Sequence, residues 1–177
     1  YSIVSEAALQ LCLETKEGGY ARECEISMIG AGCGRMDWME RGGVFGNRTC
    51  SAAAKGGQIR VLKWLRRLGC SWNRLACERA AMNGHLEILK WARENGCEWD
   101  SETCSGASQY GHLEVLQWAI ENGCDNEEVC FWAAEGGHTK ILKWAIENGC
   151  PYDKRFFCRI SDTEFFEWLG EYEANLF

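Results

Sequence analysis

The chain has 177 residues, 46% of them hydrophobic, so it is long enough and apolar enough to bury a core. A formal net charge of −7 argues against nonspecific nucleic-acid binding, which needs a basic surface. No apolar run of about 18 residues and no secretion signal is visible, so we expect no membrane span.

Going along the chain, a cysteine precedes a tryptophan by 14 residues five times, and successive units start 26 or 27 residues apart. A period of this length is typical of stacked helical repeats. The pattern therefore predicts an all-α helix-turn-helix repeat solenoid. The pairs are Cys24/Trp38, Cys50/Trp64, Cys77/Trp91, Cys104/Trp118 and Cys130/Trp144.

The period divides the chain into a single array. Residues 1–19 are predicted to be an N-terminal half-repeat or cap, and residues 154–177 a degenerate closing repeat. Between them lie five predicted repeats: 20–46, 47–73, 74–100, 101–126 and 127–153. Each repeat has two short amphipathic helices separated by a glycine turn. Side-chain oxygens can cap first helices, and the predicted N-caps are Asn47, Asn73, Asp100 and Asn126.

Two segments carry a family resemblance. "GHLEILKWARENG" and "GHLEVLQWAIENG" resemble the second helix of the ankyrin repeat, and "CERAAMNGH" resembles its first helix. "ENGCEWD" and "ENGCPYD" are similar to the short "NGCPWD" arrays of algae, oomycetes and large DNA viruses. The period is about six residues below the usual 33, which implies shortened or absent β-hairpin fingers. The resemblance also implies that His85, His112 and His138 join adjacent repeats through hydrogen bonds.

The cysteines fall into two columns, which argues against a metal or disulfide framework. Equivalent residues of stacked helices lie about 8–10 Å apart, beyond the ~7 Å Cα limit of a disulfide. We expect buried thiols in a reducing intracellular compartment, cytoplasm or organelle stroma, with redox sensing or pairing such as Cys70 with Cys77 as the alternative. The three histidines are separated from repeat to repeat by the same distance as the cysteines, so they cannot bind one metal ion together. No metal, cofactor or catalytic residue is predicted.

The tryptophans form a ladder that we expect in the core, with a pigment or base-stacking site as the alternative. Trp72, Trp99 and Tyr152 are predicted to wedge the loops against the stack.

Within each first helix, the positions one, two, five and six after the cysteine vary freely between repeats. In the ankyrin family this face lines the concave binding groove, and the alternative is a neutral solvated surface. The predicted partner-binding residues are Lys55, Arg79, Met82, Asn83, Gln109, Tyr110, Phe131, Trp132 and Glu135. A basic flank is predicted from Arg48, Lys55, Arg60, Lys63, Arg66 and Arg67, which give residues 47–73 a net charge of +6.

The prediction is therefore a non-catalytic protein–protein interaction module, a monomer in isolation or one subunit of a hetero-complex. Two alternatives stay open: a permanent structural or linker subunit of a larger assembly, for instance an organellar one, and a nucleic-acid role for the basic repeat.

Overall fold

A computed structural model describes residues 30–35 and 45–175 of the chain. The predicted half-repeat 1–19 and most of repeat 20–46, including Cys24 and Trp38, lie outside the described residues. Across the described ranges the regular structure is helical and contains no strand, so the predicted all-α class is confirmed. In the same ranges, no helix has the length and apolar character needed to cross a membrane.

Short helices follow one another in pairs. The first helices are α1 (Asn47–Lys55), α3 (Leu75–Met82), α5 (Ser101–Gln109) and α7 (Val129–Glu135). The second helices are α2 (Ile59–Arg67), α4 (Leu86–Glu94), α6 (Leu113–Glu121) and α8 (Thr139–Glu147). A 3-10 helix (Lys154–Arg159) and α9 (Thr163–Ala174) follow.

Glycine ends the second helices, as the sequence predicts. Gly69, Gly96, Gly123 and Gly149 have φ of +80°, +78°, +84° and +75°, the left-handed conformation that other residues rarely adopt. After the glycine the chain turns back toward the helix. In the second of these turns, for example, the Cys97 N–H donates to the Ala92 carbonyl at 2.9 Å. The chain then runs extended to the next first helix, where a longer repeat would hold a β-hairpin.

The predicted N-caps are only partly right. The Asn73 side chain accepts from the Leu75 N–H at 3.2 Å, as a cap should. Asn47 is instead the first residue of α1, whose N-cap is Gly46, and Asn126 lies two residues before Glu128, the N-cap of α7. Asp125 replaces Asn126 in the turn by accepting from the Glu127 N–H at 3.0 Å.

The described residues form two compact units. The first contains the residues up to Ala80 together with His85–Glu98, and the second contains Ala81–Gly84 together with the residues from Trp99 onward. In the first, α2 packs on α1; in the second, α5 packs on α6 and α7, and α7 packs on α8. The predicted division of the chain into one array of repeats stays a prediction.

Aliphatic side chains form the centre of each core, and the tryptophan ladder lies at its edge. Leu62, Leu89, Leu116 and Leu142 are fully buried at equivalent places of the second helices. Trp64, Trp91, Trp118, Trp144 and Trp168 are all half-buried, so the prediction of a tryptophan core is wrong in this detail.

The predicted wedges are confirmed. Trp72 packs edge-on against Trp91 with ring centroids 5.4 Å apart, and Trp99 packs in the same way against Trp118 at 5.7 Å. Tyr152 stacks on Phe157 at 6.1 Å. Each loop is thus fixed by one aromatic ring lying against an aromatic ring later in the chain.

The closing segment replaces a first helix with the 3-10 helix, which packs on α7, while α9 packs on α8. Its core is aromatic: Phe157 and Phe165 are 3% and 0% exposed and meet edge-on at 5.5 Å.

Candidate functional site

The first helices divide into a buried stripe and a set of partly open positions. The sequence predicts a packing face from the column cysteine and the small residues three, four and seven later. The glycines seven later are not buried, since Gly57 and Gly84 are half-buried and Gly111 and Gly137 are exposed. The other positions are buried as predicted: Cys50, Ala53, Ala54, Cys77, Ala80, Ala81, Cys104, Ala107, Ser108, Cys130, Ala133 and Ala134. Small residues are needed at these positions because two neighbouring helices approach closely there.

The nine candidate binding residues occupy the open positions. Lys55, Asn83 and Tyr110 are exposed, and Arg79, Met82, Gln109, Phe131, Trp132 and Glu135 are half-buried. Lys55 and Arg79 belong to the first unit and the other seven to the second. In the first unit, the Arg79 guanidinium lies 4.0 Å from the Glu78 carboxylate.

The open positions also form the junctions between successive pairs, which sequence reasoning did not anticipate. A Cβ on Gly106 would lie 2.6 Å from Cγ of Met82, so Gly106 is buried beneath the Met82 side chain. A Cβ on Gly136 would lie 2.3 Å from the carbonyl oxygen of Gln109. Variation at these positions therefore reflects complementary packing as well as exposure.

The three histidines join successive pairs, as the family resemblance implies. Nε2 of His85 donates to the carbonyl of Lys55 at 3.0 Å, that of His112 to Met82 at 3.1 Å, and that of His138 to Gln109 at 3.0 Å. Each acceptor is the last residue of a first helix, where carbonyls lack helical partners. The imidazoles are thus C-terminal caps provided by the following helix pair.

An aromatic cluster lies where α7 meets the closing segment. Phe131 contacts Trp132 edge-on at 5.1 Å and Phe156 edge-on at 4.9 Å. The indole Nε1 of Trp132 donates to a Glu128 carboxylate oxygen at 3.0 Å. Phe156 stays 41% exposed, and a cavity of about 210 Å³ is lined by Phe131, Phe156, Glu127, Pro151, Tyr152 and Asp153.

Glu135 and Tyr110 complete this surface on the second unit. The Glu135 carboxylate is 2.9 Å from Nη1 of Arg159 in the 3-10 helix. Tyr110, directly after α5, is 52% exposed. Sequence reasoning missed Phe156 and Arg159 because the closing segment departs from the repeat. Counting one period of 26 or 27 residues from Cys130 to Phe156 or Phe157 would have located them.

The predicted basic flank is not one surface. Arg48 and Lys55 are on α1, whereas Arg60, Lys63, Arg66 and Arg67 are on α2. Among the described residues, Lys63, Arg66 and Arg67 line a cavity of about 470 Å³ together with Trp91 of α4 and Asn95, which directly follows α4. The basic charge therefore belongs mainly to the second-helix side.

The ten cysteines among the described residues are free thiols. Their side chains interact within each helix pair: Cys77 donates a hydrogen bond to Cys97, and Cys104 donates to Cys124, which lowers the pKa of each acceptor. Burial raises the pKa of Cys50 and of Cys130 to about 12, so these thiols are poor nucleophiles. The hydrogen-bonded cysteines are 20 residues apart in the sequence, so they are not the Cys70 and Cys77 pair that was the predicted alternative. Within the ranges 30–35 and 45–175, no group of three His, Cys, Asp or Glu side chains is arranged to hold a metal.

No protein-family model matches the chain, and no curated protein sequence matches it. Among solved structures, the crystal structure of the human ASB11 ankyrin repeat domain is similar, with a TM-score of 0.68 over 82% of each chain. The two sequences are 19% identical, so the similarity concerns the fold. The ankyrin repeat fold is thus established for this chain, and membership of the "NGCPWD" type stays a prediction.

Proposed function

We propose that this chain is a non-catalytic protein-binding module that recognises a partner protein through the open positions of its first helices. The aromatic cluster of Phe131, Trp132 and Phe156 carries this proposal, with Tyr110 as a further anchor. Half-exposed aromatic side chains are the commonest energetic centres of protein interfaces, because they bury a large apolar area with few rotatable bonds.

The fold does not require aromatic residues at these places. The position of Trp132 is filled by Ala52, Arg79 and Gly106 in the other pairs, and that of Phe131 by Ser51, Glu78 and Ser105. Phe131 does stabilise the closing segment through Phe156. The polar contact of Trp132 is with Glu128, one turn earlier in the chain, and not with the closing segment.

The chemistry of the described polar groups favours binding over catalysis. Nε2 of each histidine is bonded to a backbone carbonyl, and burial raises the pKa of Cys50 and Cys130. Groups used in this way do not make good general bases or nucleophiles at neutral pH.

The test compares Trp132→Ala with Glu114→Ala, a control on the exposed side of the second helix α6. Partners captured by the wild-type chain are identified, purified and titrated against each variant. We expect Trp132→Ala to weaken binding by about 2 kcal/mol, close to 30-fold in Kd, because it truncates an interface anchor. Glu114→Ala should bind as wild type does, and thermal melting should show both variants folded.

Two results would contradict the proposal. If Trp132→Ala melts far below wild type, the side chain belongs to the cap of the array and not to an interface. If both variants bind alike, the first-helix surface is not the contact. Sedimentation of the isolated chain distinguishes the proposed binding module from the alternative, a permanent structural subunit. The subunit should aggregate without its partner, whereas the module should stay monomeric.

A further inference from the structure

The outer side of the first unit carries an uncompensated basic surface. Residues 47–73 contain six Lys and Arg side chains and no Asp or Glu. On α2, Arg60, Lys63 and Arg67 are exposed at a spacing of three and four residues, so they form one stripe along the helix. Over the part of the chain that the structure describes, none of the three has an ion-pair partner.

This stripe borders the cavity of about 470 Å³ lined by Lys63, Arg66, Arg67, Trp91 and Asn95. The volume is in the range of ligand-binding clefts, and the described residues that line it include no carboxylate. Like charges one helical turn apart destabilise a helix by a few tenths of a kcal/mol per pair. A ligand of opposite charge would reduce this repulsion.

Two of the cations are held in place by aromatic rings. The Arg66 guanidinium lies 4.4 Å from the ring centroid of Trp72, and one of its N–H groups donates to the Cys70 carbonyl. Nζ of Lys63 lies 5.6 Å from the ring centroid of Trp91. Such contacts restrict the side chains before binding, which reduces the entropy lost when a ligand binds.

We propose that this cavity is a second docking site, separate from the first-helix surface, that binds a short acidic segment of a partner protein. From Arg60 to Arg67 the helix advances roughly 10 Å, at about 1.5 Å per residue. An extended peptide advances about 3.3 Å per residue, so three or four consecutive Asp or Glu residues match the stripe.

The charge distribution favours an acidic peptide over a nucleic acid. The chain carries −7 in total and +6 in residues 47–73, so the remainder carries −13 and repels a longer polyanion. One face of Trp72 and one face of Trp91 are already occupied by Arg66 and Lys63, which leaves less aromatic surface for stacking bases.

The experiment measures binding of a fluorescein-labelled ten-residue peptide with four consecutive glutamates to the full chain at low and physiological salt. We expect binding that weakens with salt, and no binding of the same peptide with glutamines. Arg67→Ala should weaken binding at least about fivefold, because it removes a charge-assisted hydrogen bond. Arg48→Ala, which removes the same charge from α1, should change binding less than about twofold.

Circular dichroism and thermal melting check that Arg67→Ala is folded, which its exposure leads us to expect. The proposal is overturned if Arg67→Ala and Arg48→Ala weaken binding equally, because the effect is then one of net charge. It is also overturned if the glutamine peptide binds as well, if the glutamate peptide fails to bind, or if a single-stranded oligonucleotide of matched length binds more tightly through Arg67.

Discussion

The two units are built from equivalent helix pairs, yet they differ in where they expose unusual chemistry. In the first unit the distinctive side chains are on the second helix α2, where Lys63, Arg66 and Arg67 line a cavity with Trp91, and Trp72 lies against Arg66. In the second unit they are on the first helix α7 and the closing segment, where aromatic rings gather. The buried positions are nearly the same in both.

This difference shows which positions the fold controls. The leucine and cysteine columns repeat because each must fill the same space between neighbouring helices. The stripe of α2 and the open positions of α7 face away from that space, so the fold allows basic residues at one and aromatic residues at the other. One scaffold can therefore carry two recognition surfaces of different chemistry.

The largest expected effect tests whether the two cores are equivalent. Leu62→Ala in the first unit and Leu116→Ala in the second each remove a fully buried side chain, and each should lower the free energy of unfolding by about 2–5 kcal/mol. Urea denaturation followed by circular dichroism measures both, with Leu68→Ala, 54% exposed, as the control. A loss below about 1 kcal/mol in one unit alone would mean that the two cores differ.

A smaller effect separates the free-energy cost of the left-handed backbone conformation from the cost of disturbing the packing between helix pairs. Gly111 and Gly123 have φ of +83° and +84°, but a Cβ on Gly111 would lie 2.7 Å from Cε1 of His138, whereas no atom lies within 4 Å of one on Gly123. Gly123→Ala should cost about 1–2 kcal/mol for the left-handed conformation alone. Gly111→Ala should cost more, because His138 must move.

Thermal and urea unfolding of the two variants measure the difference. In the first unit, Gly57→Ala beside His85 and Gly69→Ala in open space form the same kind of matched pair. Equal losses for Gly111→Ala and Gly123→Ala would show that the histidine junctions tolerate displacement.

The smallest effect concerns the closing segment, which departs from the regular helix pairs. Hydrogen bonds from Lys154 and Tyr152 hold the pKa of Glu173 below its usual value. A lowered folded-state pKa means that this stabilisation is present above the unfolded pKa of about 4.3 and is lost as the pH falls through the folded value. Glu173→Gln should therefore lower the melting temperature slightly at pH 7, and the difference from wild type should shrink as the pH falls toward 3.

Glu171→Gln, an exposed neighbour on α9, is the control and should match wild type at both values of pH. A difference between Glu173→Gln and wild type that persists at pH 3 would assign the effect to packing and not to charge.

Most of the fold follows from the sequence, because its signals are local. Glycine after each second helix, the buried small residues of each first helix, and the histidine junctions all lie where the spacing predicts them. The N-cap predictions at Asn47 and Asn126 were wrong for a local reason too. Several residues near the start of a helix can accept hydrogen bonds from the same N–H groups, and a shift of one residue decides which of them does so.

Less of the candidate site could be predicted. The burial of Gly106 beneath Met82 depends on two residues that are 24 positions apart and share no sequence pattern. The basic cavity was predicted as charge but placed beside the wrong helix, since a count of charges per repeat does not separate α1 from α2. Phe156 was missed because it follows an interrupted period.

The histidine caps have a consequence for how such an array can be divided. Three first helices, α1, α3 and α5, end at a carbonyl whose partner imidazole belongs to the next period of sequence, so the cooperative building block is offset from the sequence repeat. A cut made at a repeat boundary removes the imidazole while keeping the carbonyl, and the last remaining helix begins to fray. Truncation, shuffling or fusion of these modules should therefore use breakpoints after the histidine-bearing turn, where each block keeps its own donor and acceptor together.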